Sequence, residues 1–204
     1  RSTYRSFVDW SATDEGEAKA FAEFWAYLQE IEAIATELHG PDSIQFMHYT
    51  AAEDRCMRAI AKKHEGVEGI PSIEEIEDFI ARDDKVDLYH VLTEQLIWPT
   101  EDLSLKSLAK HAKFLWRDDD PSGANSIIWY QEAITHPDEE YRESQRARVL
   151  DYNADDCAAQ AALLSWIARF GQVRNSARQL KGVESLDDRF TPRRRRPSAI
   201  RARS

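Results

Sequence analysis

Residues 149–170 read VLDYNADDCAAQAALLSWIARF, and the reading of this stretch decides the fold. Its alanines and leucines predict a helix on which Tyr152, Asp156, Ala159 and Leu163 share one stripe, because residues three and four apart face the same way. Cys157, Ala161, Leu164 and Ala168 form the neighbouring stripe and are expected to help bury it. A phenol one turn before a carboxylate, at the rim of an apolar face, presents a hydroxyl beside a metal-seeking oxygen. The plainer alternative is that Asp151, Asn153 and Asp155 open the helix, since such side chains satisfy free backbone N–H groups and suit the positive end of the dipole. Both readings require a helix here.

Working outward, residues 4–9 (YRSFVD) make a short strand candidate, and residues 13–17 supply capping groups for the segment that follows. Phe21, Phe24, Trp25, Leu28 and Ile31 recur at helical spacing between Ala18 and Ile34, until Gly40-Pro41-Asp42 stops the helix. Residues 43–49 (SIQFMHY) are short and apolar enough for a buried strand, and the chain then enters a helix with Met57 and Ile60 on its inner face. Strand, helix, strand is the opening of an α/β fold. Glu53 falls in the first turn after the strand, where open α/β sheets place ligand sites. Asp54 competes for that role, and both acids also suit a helix dipole. Further on, Ile73, Ile76, Phe79 and Ile80 share a helical face. The aspartates 118–120 lack the alternation and closing Glu of an EF-hand and read as a solvated loop. Lys106, from its spacing alone, reads as a solvated lysine.

A chain of 204 residues buries one sizeable core. At 31% charged residues and only seven glycines and seven prolines, it reads as helix-rich and soluble. No apolar run is long enough to span a bilayer, so no membrane partner is expected. Cys56 and Cys157 make neither a disulfide framework nor a Cys-x-x-Cys pair, which argues against zinc and fits a reducing cytoplasm. The net charge of −10 is uneven: residues 189–204 carry seven arginines and no acid, leaving −17 on the rest. So acidic a body argues against a simple basic groove for nucleic acid, although acids gathered around Mg²⁺ contribute to such a charge. No P-loop, Gly-rich dinucleotide turn or G-x-S-x-G elbow is present.

Several short motifs follow one another in a telling order. They are His48-Tyr49 with Glu53 and Met57 after it, then Val86-Asp87-Leu88-Tyr89, the Leu-Ser-Leu-Lys-Ser-Leu of residues 103–108, Asn125-Ser126, and Tyr152-x-x-x-Asp156. The series, spanning residues 4–170, resembles the RNase H-like, DEDD-type exonuclease domain, in its tyrosine variant, at the C-terminal end of bacterial RecB-like nucleases. The resemblance implies an α/β fold with an RNase H-like mixed sheet flanked by helices. It implies 3'-5' exonuclease-like hydrolysis of phosphodiester bonds in DNA or RNA, with two Mg²⁺ or Mn²⁺ ions about 4 Å apart. Glu53 and Asp156 would be metal ligands, Tyr152 would orient the attacking water, Asp87 would support the site and Lys106 would meet a phosphate. Asn125 stands where the family usually has an acid. The family's first motif, Asp-x-Glu, has no match: Asp9 lies on a plausible strand, but Ser11 stands at the glutamate's place.

The first two strands are therefore expected upstream of Arg1, in a longer parent chain carrying a nuclease or helicase domain. The expected organisation is a nuclease domain over 1–181 and a basic, disordered, removable tail over 182–204. A reading from a different class is a non-catalytic RNase H-like module that binds nucleic acid or a protein.

Overall fold

The structure, a computed structural model, describes residues 4–179. The arginine-rich segment 182–204 lies outside the described residues. Contacts divide the chain into two compact units, one up to Leu163 and one from Leu164 onward. In the second unit, residues 164–179 are helical. The description that follows concerns the first.

Helix α1 (Asp14–His39) starts where Thr13 accepts a hydrogen bond from the Gly16 N–H at 3.1 Å, with Asp14, Glu15 and Glu17 at the positive end of its dipole. It ends at Gly40, whose φ of 91° lies in the left-handed region that glycine enters most cheaply. Strand β1 (Phe46–His48) leads into α2 (Ala52–Lys63), and α3 (Ile73–Ile80) opens on a full capping box between Ser72 and Glu75. Phe21 of α1, Met57 and Ala61 of α2, and Ile76 and Phe79 of α3 form a buried cluster, with Phe24, Trp25, Leu28 and Phe46 packed against it. This is the core that the helical spacing of those apolar residues anticipates.

Strand β2 (Lys85–Asp87) pairs with β1 in parallel, setting His48 opposite Asp87 at the carboxyl ends of both. Helix α4 (Leu88–Gln95) packs on this pair, burying Leu88 and Leu92. Then come α5 (Leu105–Ala109), a single 3-10 turn (Lys110–Ala112), α6 (Gly123–Thr135) and the long α7 (Glu139–Gln179).

Of four expectations, the first is met in part and three need correction. The sheet among the described residues has the strands β1 and β2, a helix-rich α/β arrangement with a small parallel sheet that is compatible with an RNase H-like fold and shows part of the expected mixed sheet. Residues 4–9 join no ladder among the described residues. Side chains hold them instead: the Tyr4 hydroxyl donates to Asn153 Oδ1 at 2.9 Å, and the Asp9 carboxylate lies so close over Gly16 that a Cβ there would meet it at 2.2 Å. The third concerns Asp151, Asn153 and Asp155, which do not open a helix, since α7 begins at Glu139. Lastly, Asp118 is no solvated loop residue: its carboxylate, 12% exposed, pairs with Arg148 at 2.5 Å.

Candidate functional site

Helix α7 places Tyr152, Asp155, Ala159 and Leu163 inward, with Asp156 half-buried at the edge of that face. Of the neighbouring stripe, Cys157 and Ala161 are exposed and do not complete the core, while in the second unit Leu164 is half-buried and Ala168 exposed. Burial raises the Tyr152 phenol above its ordinary range, and the Asp156 carboxylate one turn on adds to this by its charge and by attracting the phenol's proton. The Tyr152 oxygen accepts a hydrogen bond from Lys106 Nζ at 2.8 Å. Lys106 is accordingly no solvated lysine: its ammonium stands 4.8 Å from the Tyr152 ring centroid and 5.5 Å from that of Trp116. The Trp116 indole N–H donates to Asp156 Oδ1 at 2.8 Å, which fixes one oxygen of that carboxylate.

The strap bearing Trp116 is held by its neighbour. Arg117 donates to Asp155 from its backbone N–H at 2.8 Å and from Nε at 2.9 Å, and to Asp151 from Nη1 at 2.5 Å. Two acids that flank the candidate carboxylate in sequence are thus spent on clamping the strap to α7. Sequence reasoning missed both Trp116 and Arg117. They lie 40 and 38 positions from their partners, and no local periodicity reports a pairing across that span.

At the other acid, the parallel pairing builds the support. Asp87 Oδ1 accepts from the Thr50 N–H at 3.0 Å and from the Tyr89 N–H at 2.9 Å, capping α4 while gripping the turn after β1. The Thr50 carbonyl oxygen lies 2.6 Å from His48 Nδ1. Since a carbonyl only accepts, Nδ1 carries the hydrogen, and Nε2 is free to accept from Lys85 Nζ at 2.8 Å. Thr50, with φ 70°, is therefore held at both its N–H and its C=O in a left-handed conformation that costs an L-residue about 1 kcal/mol. Glu53 follows directly, its side chain 47% exposed and its Oε2 3.8 Å from His48 Nδ1, beyond hydrogen-bonding distance. Asp54 is committed elsewhere, to Lys85 at 2.5 Å, and both side chains of that pair are largely buried.

Cys157 follows Asp156 on α7. Its thiol is exposed, yet protein crowded around it and then the charges of Asp156 and Glu53 push it up from its ordinary value. Among the described residues no three His, Cys, Asp or Glu side chains converge as a metal cage requires. Asp9 does not join the pair: Ser11, through its backbone N–H at 2.8 Å and its hydroxyl, occupies the carboxylate and holds it below the usual range. The RNase H superfamily model matches residues 2–168. No curated protein and no solved structure matches the chain.

Proposed function

Because this chain belongs to the RNase H superfamily, whose members generally hydrolyse phosphodiester bonds, we propose that it is the substrate-engaging part of a RecB-like, 3'-5' exonuclease-type nuclease. In this reading Glu53 and Asp156 are acidic ligands, Tyr152 orients the attacking water, Lys106 meets a phosphate oxygen, and Asp87 positions Glu53 through Thr50. The observation that carries it is the Lys106–Tyr152–Asp156–Trp116 constellation, in which a cation, a neutral phenol and a carboxylate meet beside an aromatic strap. Glu53 is preferred over Asp54 because Asp54 is committed to Lys85 and Glu53 has no partner within hydrogen-bonding distance among the described residues.

Divalent metals are usual in the superfamily and supply an activated water and a counter-charge for the leaving oxygen. Two such ions need several carboxylate oxygens. Glu53 and Asp156 alone, with one Asp156 oxygen already accepting from Trp116, do not make a two-ion cage. An Asp-x-Glu strand, in a parent chain with a nuclease or helicase domain upstream, would complete it.

The test is release of nucleotides from labelled DNA and RNA strands with Mg²⁺ or Mn²⁺, by this chain and by one extended upstream through such a strand. Cleavage is expected from the longer chain alone, and Asp156→Asn should lower it by more than about 100-fold, since even outer partners of metal ligands are worth 10–100-fold. Cleavage by the longer chain that survives Asp156→Asn refutes the assignment. The shortage of converging acids also favours a second reading, a non-catalytic nucleic-acid-binding module. A longer chain that binds strands without cutting them would decide for it. No described helix is long and apolar enough to cross a membrane.

A further inference from the structure

Between Asp102 and Asp118 the chain carries Lys106, Lys110, Lys113 and Arg117 and not one acid, although the whole chain has a net charge of −10. Lys106 and Lys110 are one helical turn apart across α5 and the 3-10 turn that continues it, so they share a face. Lys113 then takes φ 58°, and its N–H bonds to the Lys110 carbonyl while the Phe114 N–H bonds to that of Ala109. That is a glycine-type helix stop, and a lysine occupies the position where glycine would be cheaper.

Lys110 and Lys113 are both exposed, and neither makes an ion pair among the described residues. The acids bracketing the run are engaged elsewhere. Asp102, which feels the charge of Lys110, accepts from the Ser104 N–H and the Ser107 hydroxyl, and Asp118 holds Arg148. Beyond Lys113, Leu115 is 83% exposed, and next to it Trp116 reaches Asp156.

We infer that Lys106, Lys110, Lys113 and Leu115 form a track for single-stranded nucleic acid, lysines on its phosphates and Leu115 against an unpaired base. The track leads to Tyr152 and Asp156. A polyanion approaching a largely acidic protein is repelled over most of the surface and attracted where exposed lysines form no ion pair. A duplex hides its base faces, so an exposed leucine beside the lysines selects the unpaired strand. The inference rests on the proposed site at its end, but binding along the track does not require cleavage there.

The experiment measures fluorescence anisotropy of labelled oligo-dT and oligo-rU, about 20 nucleotides long, with the full chain in EDTA over a series of salt concentrations. Lys110→Glu with Lys113→Glu should weaken binding at least about 10-fold and lower the salt slope by about 1.4, from two lost contacts on a single strand. Lys19→Glu with Lys62→Glu, exposed residues on α1 and α2, makes the same change in net charge and should leave binding within about 3-fold. Lys113→Gly guards against misfolding: it should raise the urea midpoint by relieving the left-handed backbone, while still weakening binding. Equal losses from both double variants, no strand binding by the unaltered chain, or a duplex bound as tightly as the single strand would each overturn the track. If the upstream-extended chain cleaves with KM unaltered by Lys110→Glu and Lys113→Glu, the track falls and the nuclease reading stands. Track-dependent binding with no cleavage from any version leaves the track standing and removes the nuclease.

Discussion

Two aspartates one turn apart on α7 share Arg117, and the structure makes them unequal. The Asp155 side chain is 10% exposed and accepts from the Arg117 backbone N–H and Nε, whereas that of Asp151 is 56% exposed. A hydrogen bond to a charged group is worth about 1.5–3 kcal/mol net, and breaking a fully buried ion pair costs about 3–5. Because the Arg117 side chain is itself 53% exposed and regains water, the buried figure is too high here. Asp155→Ala should therefore destabilise the fold by about 2–3 kcal/mol, mainly through the unsatisfied Arg117 N–H. Asp151→Ala removes a surface pair and should cost no more than about 1 kcal/mol despite its short contact. Urea unfolding, followed by helical circular dichroism and by tryptophan fluorescence, measures both. Equal losses from the two variants, or a loss below about 0.5 kcal/mol for Asp155→Ala, would refute the view that Asp155 clamps the strap.

Asp156, next in sequence, should behave oppositely: Asp156→Asn keeps an acceptor for the Trp116 indole and should cost less than about 1 kcal/mol in the same assay, in keeping with a carboxylate held for something other than stability. On the acid side, Glu17 is held low by Lys63 and then His64, Asp84 by Arg82, and Asp118 by Arg148. Each stabilises the fold fully above its unfolded value of 4.5 or 3.8, and that stability is lost as pH falls through this range toward the lowered folded values. A urea midpoint that stays flat from about pH 6 to about pH 3 would contradict those pairings. On the alkaline side, burial raises the phenols of Tyr49 and Tyr152 above the ordinary 10.0, so their contribution is complete below that pH and lost as pH rises beyond it. Ultraviolet titration should find both ionising only as the protein unfolds.

The sequence by itself determined the elements whose causes are local. The apolar spacing from Phe21 to Leu28 and from Ile73 to Ile80 marks two helices, Gly40 marks a stop, and the stripe of Tyr152, Ala159 and Leu163 marks a buried face. Each follows from neighbours within a few turns, which the chain states directly. Local cues misread where α7 begins, because an aspartate that caps a helix and one that grips a distant arginine look alike in one dimension. Tertiary structure alone divided the acids. Asp54, Asp87 and Asp155 went to Lys85, to two backbone turns and to Arg117, while Glu53 stayed half-exposed and Asp156 kept one oxygen outside its bond to Trp116. What an acid does depends on the cation or N–H group that reaches it, and these partners arrive from up to 40 positions away, brought together only when β1 meets β2 and the strap closes on α7.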